Sequence, residues 1–361
     1  GLPQGFQILD SDDQQRLVKR IMREMNLDDA KWPPRQAQWF INKQKDEGLR
    51  ADHLDHAGDP YQHQMIAIYR EYEAACERAG SVDFAELLLR AHELWRNRPD
   101  VLQHYRARFG AILVDEFQDT NAIQYAWVRM LAGVTGRVFV VGDDDQSIYG
   151  WRGARVENVH HFVRDFPDVQ TVRLEQNYRS TGVILDAANA LIAHNDGRLG
   201  KNLWTAGDEG EAIQLYAAIN EQDEARFVVE RIQGQIDLGQ ARSDIAVLYR
   251  SNAQSRVFEE RLLQAGIAYR VYGGQRFFER QEIKDALAYL RLCENRADDA
   301  SFDRIVNQPP RGIGERTLSV VRDRARLDQV SLWAAAHRIL ESGELSARAR
   351  NALAAFVELI D

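Results

Sequence analysis

Along the first hundred residues, apolar side chains recur every three or four positions, the period of a helix with one buried face. Leu17, Val18, Ile21, Met22 and Met25 share such a face behind Ser11-Asp12-Asp13-Gln14, which has the spacing of a capping box. Met65, Tyr69, Tyr72, Cys76 and Ala79 form a second stripe, and Trp32-Pro33-Pro34 is a break. Residues 1–109 are therefore expected to be nearly all helix, with the stripes serving as core. The texture changes at residue 110. Short β-branched runs at Ala111–Asp115, Arg137–Val141, Thr171–Leu174, Ala212–Tyr216, Asp244–Tyr249 and Ala268–Tyr272 alternate with helical stretches such as Asn121–Ala132 and Val183–Ala193. That alternation predicts an α/β fold with a mostly parallel sheet. After Gly273-Gly274 helical sequence returns and runs to the end, interrupted by Pro309-Pro310-Arg311-Gly312-Ile313-Gly314.

A chain of 361 residues exceeds one ordinary core and predicts about two to four domains. The net charge of -9 gives no bulk support for nucleic-acid binding, so any such contact must come from local groups. Cys76 and Cys293 are the only cysteines and lie far apart, which excludes a disulfide framework or a cysteine metal cluster and fits a reducing cytoplasm. The sequence carries no signal-peptide pattern and no apolar run of bilayer-spanning length, so the expectation is a cytoplasmic protein without a membrane partner.

The densest chemistry lies between Ala111 and Ala154. An apolar run ends in Asp115-Glu116, and a second ends in a turn carrying Gln146, Tyr149, Trp151 and Arg152. Carboxylates at the end of a strand sit where α/β sheets bind ligands. Phosphoryl transfer needs a metal held against the phosphates and a water oriented in line. Asp115 suits magnesium (Mg2+) held through water, and Glu116 suits proton abstraction from the attacking water. The plainer reading is a strand-to-turn pair that caps the next helix. An amide such as Gln146 can bond a γ-phosphate and report its presence, or be only a turn residue. Asp143-Asp144-Asp145 suggests a metal site, but three adjacent side chains rarely converge on one ion, and turn and cap roles are expected. Aromatics in a glycine-rich turn offer faces for base stacking, and Arg152 can meet phosphate or stack. The competing role for Trp151 is inter-domain packing. In Leu174-Glu175-Gln176-Asn177-Tyr178-Arg179-Ser180-Thr181, Arg179 suits transition-state charge and Tyr178 suits the face of an adenine. Alternatively, Arg179 is a surface residue before a helix capped by Ser180 or Thr181.

These strings together resemble the UvrD/Rep/PcrA-type superfamily 1A DNA helicases over essentially the whole chain. LVDEFQDT is similar to motif II, GDDDQSIYGWRGA to motif III and LEQNYRST to motif IV, while GDDDQSIYGWRGA and GRLGKNLWT favour the UvrD branch. The resemblance implies RecA-like parallel-sheet motor domains, here partial, with large all-helical insertions. It divides the chain at 1–109 (helical insertion of motor domain one), 110–175 (second half of that motor domain), 176–273 (first half of motor domain two) and 274–361 (part of a second helical insertion). It implies ATP-dependent 3′→5′ translocation and unwinding in DNA repair, with ATP and Mg2+ as cofactors. The implied partners are single-stranded DNA, single-strand/double-strand junctions and repair proteins. It assigns Asp115 and Glu116 to the metal, Glu116 as base, Gln146 as γ-phosphate sensor, Arg179 as arginine finger and Tyr178 to adenine. It assigns Tyr149, Trp151, Arg152, Phe84, Arg250 and Asn252 to the DNA strand. Read from its residues alone, Phe84 is instead a buried side chain behind an Asp83 helix cap. The resemblance also makes Pro309–Gly314 the turn of a helix-hairpin-helix facing a phosphate; without it, a tight helix-to-helix turn serves as well.

The 361 residues hold no GxxxxGKS or GxxxxGKT, since Gly200-Lys201 is followed by Asn202 and lacks the first glycine. In the resembled family that P-loop lies before the matched region and the last two motor motifs lie after it. The chain is thus expected to be an internal stretch or truncated form of a longer helicase, and inactive as an ATP hydrolase by itself. The alternative is a catalytically silent DNA-binding or interaction fragment.

Overall fold

The computed structural model describes residues 2–133, 136–166, 168–272 and 281–361. The chain divides into two compact units, one of Gly1–Leu174, Ile192–Lys201 and Leu287–Asp361, the other of Glu175–Leu191 and Asn202–Ala286. The boundary expected at 273/274 lies outside the described residues.

The first unit opens with β1 (Gln7–Ile8) and α1 (Ser11–Glu24). Its cap is Asp10, not Ser11: the extended Asp10 carboxylate accepts from the N–H groups of Asp12 and Asp13 at 2.9 and 2.8 Å. One carboxylate reaching two orphan donors displaces the expected hydroxyl cap. α2 (Pro34–Asp46) begins at a proline, whose missing N–H costs nothing in the first turn. α3 (Pro60–Ala79) leads to β2 (Ser81–Val82), which pairs parallel with β1. α4 (Phe84–Asn97) starts where Asp83 accepts from Glu86 N–H at 2.7 Å, and α5 (Pro99–Arg108) follows. The two stripes read from the sequence meet in one core, where Val18, Ile21 and Met22 pack with Met65, Tyr69 and Tyr72.

β3 (Ile112–Val114) and β4 (Val138–Val140) pair in parallel, Ile112 opposite Val138 and Val114 opposite Val140. Between them lies α6 (Ala122–Ala132), capped by Asn121, and after them α7 (Glu157–Asp165). One face of the pair packs Val114, Val138 and Val140 against Phe117, Tyr125 and Phe162. The other carries Leu113 and Phe139, 76% and 62% exposed, so these strands are not buried on both faces.

The second unit holds most of α8 (Gly182–Ile192), with α9 (Glu221–Asp237) and α10 (Ser255–Gln264). Val229, Leu262 and Ile267 form its small core. The sequence expectation needs correction at the end of the first unit and through the second: Thr171–Leu174, Ala212–Tyr216, Asp244–Tyr249 and Ala268–Tyr272 are not strands. β-branched residues favour a strand only when a ladder partner and a packing face are present. Leu215 and Leu248 are almost wholly exposed, and among the described residues the pairing near these segments is a single bridge, Gln176 to Trp204. The sheets among the described residues are two small parallel pairs in a mostly helical α/β structure.

The C-terminal helices α11 (Gln281–Glu294), α12 (Asp299–Ile305), α13 (Glu315–Asp328), α14 (Leu332–Ser342) and α15 (Ala347–Ile360) bury Leu292, Phe302, Ile305, Val321, Ile339 and Phe356 together. The turn before α13 is braced by one amide side chain. Asn307 Oδ1 accepts from Arg311 N–H at 2.8 Å and Ile313 N–H at 3.3 Å, and Ile313 is buried. Asn307 thus holds the tight helix-to-helix turn through two of its backbone donors. Among the described residues no helix is long and apolar enough to cross a membrane.

One partly buried acid makes this region pH-sensitive. Asp299 accepts from Leu332 N–H at 2.7 Å, yet burial pushes its carboxyl up to about 7, against the pull of that N–H and of Arg20. The native state therefore holds this proton to a higher pH than the unfolded chain. The contribution to stability is full below about pH 4 and is lost as pH rises through about 7. Asp299→Asn keeps an acceptor for Leu332 without the partly buried charge. It should match the parent near pH 4 and melt higher at pH 8, by at most roughly 4 kcal/mol. Equal melting temperatures at pH 8 would contradict this.

Candidate active site and nucleic-acid interface

β3 delivers Asp115 and Glu116 to the carboxyl edge of its sheet, both exposed. Asp115 Oδ1 accepts from Glu116 N–H at 3.0 Å, which orients the carboxylate at the strand end. Glu116 itself is left-handed, φ 51° and ψ 43°. That conformation is strained for a side chain of this size and persists only where neighbours hold it. Neither residue caps the next helix; Asn121 does, accepting from Gln124 N–H at 2.9 Å.

The neighbour that holds Glu116 is Gln118, which the sequence reading passed over. Gln118 is 1% exposed. Its Nε2 donates to Glu116 Oε2 at 2.8 Å, and its Oε1 accepts from Asp143 N–H at 2.9 Å. Asp143 Oδ2 in turn accepts from Gln146 Nε2 at 2.7 Å. A hydrogen-bonded path thus runs Glu116–Gln118–Asp143–Gln146, joining the two motifs. Gly142 makes it possible, because a Cβ there would lie 2.7 Å from Gln118 Oε1. The available signal was a lone amide between two strand ends, flanked by an aromatic and an acid.

Asp143, Asp144 and Asp145 do bring carboxylate oxygens within 4.8 Å of one another. Protein donors already serve them. Lys201 pairs with Asp143, Arg198 forks onto Asp145 at 2.5 and 2.6 Å, and Leu199 N–H donates to Asp144 at 2.7 Å. Burial works against the Asp143 charge, but Lys201, Gln146 and the Asp145 N–H outweigh it and hold its carboxyl below the usual range. The run therefore acts as turn, cap and ion-pair partner. Arg198 and Lys201, legible in the sequence only as part of GRLGKNLWT, are the ion-pair partners of this run.

Three residues past Gln146 the aromatic turn begins. Tyr149 and Trp151 have ring centroids 6.4 Å apart, and the Arg152 guanidinium lies 5.4 and 5.2 Å from them. Trp151 is 68% exposed, so no packing partner covers it in this structure. Gly153 closes the turn at φ 90°, which a side chain rarely adopts. Phe84, at the first position of α4, is 64% exposed, so the reading of it as a buried residue is corrected: Asp83 caps the helix and Phe84 points outward.

Asp115, Glu116, Gln146, Tyr149, Trp151, Arg152 and Phe84 all belong to the first unit, whereas Tyr178, Arg179, Arg250 and Asn252 belong to the second. Tyr178 is 86% exposed, its hydroxyl donating to Gln176 at 2.9 Å, and Arg179 is exposed beside it. The turn before α8 is held by Asn177, whose Oδ1 accepts from Arg179 and Ser180 N–H at 2.8 Å each. Arg250 is exposed next to Ser251, and Asn252 starts a short turn into α10.

A family model described as the UvrD/REP helicase N-terminal domain matches residues 1–167, and one described as the UvrD-like helicase C-terminal domain matches residues 172–335. The chain is 65% identical to DNA helicase II of Escherichia coli (strain K12) over 360 residues, covering all of this chain and 50% of that protein. It is 56% identical to DNA helicase II of Haemophilus influenzae over 361 residues and 43% identical to the ATP-dependent DNA helicase PcrA of Bacillus subtilis over 363 residues, covering 50% and 49% of them. The chain spans about half the length of the curated relatives it matches. With the N-terminal and C-terminal domain models matched in order over residues 1–167 and 172–335, the chain belongs to the UvrD-like helicase family.

Proposed function

We propose that this chain is the central part of an ATP-dependent DNA helicase that moves 3′→5′ along single-stranded DNA and opens single-strand/double-strand junctions in repair. On this reading residues 1–109 are the helical insertion of the first motor domain, 110–175 its second half, 176–273 the first half of the second motor domain and 274–361 part of its insertion. The observation that carries the reading is the Glu116–Gln118–Asp143–Gln146 path ending three residues before an exposed aromatic turn.

Asp115 offers a hard oxygen at the sheet edge, oriented by the Glu116 N–H, and fits a magnesium ion; the ion would neutralise phosphate charge. Glu116, steered by Gln118, takes the proton of the attacking water. Gln146 bonds the terminal phosphate and its water, and loss of that phosphate frees an amide tied to Asp143. Tyr178 stacks on adenine, and Arg179 meets the charge that develops in the transition state. Phe84, Tyr149, Trp151, Arg152, Arg250 and Asn252 hold the strand through ring faces and phosphate contacts.

The test is ATP hydrolysis and unwinding by the helicase that carries these residues. Single-stranded DNA should raise the hydrolysis rate, and a duplex with a 3′ tail should open while one with a 5′ tail should not. Hydrolysis indifferent to DNA, or opening from the 5′ tail alone, would overturn the proposal.

A further inference from the structure

The last turn of α2 touches three separate parts of the first unit with three consecutive side chains. Lys45 is buried and pairs with Asp83 at 2.7 Å and Glu86 at 2.8 Å, the residues that start α4 around Phe84. Asp46 Oδ1 accepts from Asn121 Nδ2 at 2.9 Å, at the end of the carboxylate loop. Its other oxygen faces Gly153, where a Cβ would come within 3.3 Å. Glu47 pairs with Arg155, whose own N–H donates to Thr120 O at 2.9 Å.

One helix end is thus fastened to the base of Phe84, to the loop after Glu116 and to the exit of the Tyr149–Arg152 turn. None of the three side chains is among those assigned above to nucleotide or strand. They set where the groups that do so stand relative to one another. We propose that Lys45-Asp46-Glu47 is a positioning node, with Asp46 at its centre, that keeps the carboxylate loop and the aromatic contacts in one register, so that strand binding speeds hydrolysis. This rests on the motor reading given above.

The chemistry of each contact separates its expected behaviour. Asp46 acts as an acceptor filling the space between Asn121 and Gly153, a role that Asn can also serve. The Glu47–Arg155 pair is partly exposed, and such pairs add little to stability, so its charges can be exchanged without unfolding the domain. Lys45 is a poor probe, since removing it takes the paired cation from the buried Asp83 carboxylate.

The experiment uses the full helicase carrying this chain. Asp46→Ala should lower DNA stimulation of ATP hydrolysis by about fivefold or more while DNA-free hydrolysis stays within about twofold. Asp46→Asn should restore most of the stimulation. Glu47→Arg alone should lose it, and Glu47→Arg with Arg155→Glu should recover it. A role confined to stability predicts instead that all rates fall together and that neither rescue works. Amide exchange provides a readout independent of motor activity: in Asp46→Ala, exchange should quicken at Asn121 and at residues 153–155 and stay unchanged in the C-terminal helices. If the parent shows no DNA-stimulated hydrolysis, the motor reading fails, and exchange alone decides the positioning. Unchanged exchange at those amides, or stimulation kept within twofold in both Asp46→Ala and Glu47→Arg, overturns the proposal.

Discussion

Glu116→Gln, made in the helicase that carries this chain, should cut ATP turnover by about 10²–10⁴-fold while leaving nucleotide binding near normal. The substitution removes the base and little else. Gln at this position still offers an oxygen to Gln118 Nε2, so the bond now 2.8 Å long can persist, and Asp115 remains oriented by the backbone N–H. The left-handed backbone at residue 116 is equally strained for either side chain, so the folded state should not distinguish them. Single-turnover hydrolysis beside an equilibrium nucleotide-binding titration separates the two effects. A variant hydrolysing within about tenfold of the parent would remove Glu116 from the role of base. Arg179→Ala should also lower turnover, by up to about 10³–10⁵-fold if this exposed guanidinium reaches the transferred phosphate. Normal turnover in that variant would return Arg179 to the role of a surface residue beside the Asn177 cap.

How far the sequence could be read depended on where the determining partner lay. The segments β3, β4, α6 and α8 were legible because their signals are local: an apolar run or a helical stretch. The Asp115-Glu116 pair and the aromatic turn stood out because charged and aromatic residues beside apolar runs are conspicuous. Gln118 was invisible for the opposite reason. Its meaning comes from Asp143, twenty-five residues away, and from the missing Cβ of Gly142. Lys201 and Arg198 could not be paired with the Asp143–Asp145 run, because sequence does not reveal which distant cation returns to a turn. The four runs misread as strands carry suitable residues, but strand formation depends on neighbours that composition does not show. Phe84 shows the same limit in reverse: an aromatic behind a capping Asp reads as core, and only the packing of α4 shows it turned outward.

Trp151→Ala should weaken single-strand binding by about 1–3 kcal/mol, roughly 5–150-fold in affinity, without a matching loss of stability. The ring is 68% exposed and lies beside Tyr149 and Arg152, an arrangement that leaves a broad face open to a base. Truncating so exposed a side chain should change folding stability by no more than about 0.5 kcal/mol. The competing role, packing against another domain, predicts the reverse: a lower melting temperature with strand affinity intact in the folded fraction. The two outcomes separate on one plot of affinity against melting temperature. The effect on hydrolysis is equally specific. Gln146 and Asp143 keep their bond in the variant, so DNA-free hydrolysis should stay near the parent rate. Unwinding should fall further than strand affinity does, because a base that no longer stacks cannot be moved when the turn shifts. Salt titration adds a check: phosphate contacts through Arg152 and Arg250 should leave the slope of log affinity against log salt nearly unchanged in Trp151→Ala, since the lost contact is a neutral ring. A destabilised variant with parental strand affinity would assign Trp151 to packing and end the case for this turn as the link between hydrolysis and the strand.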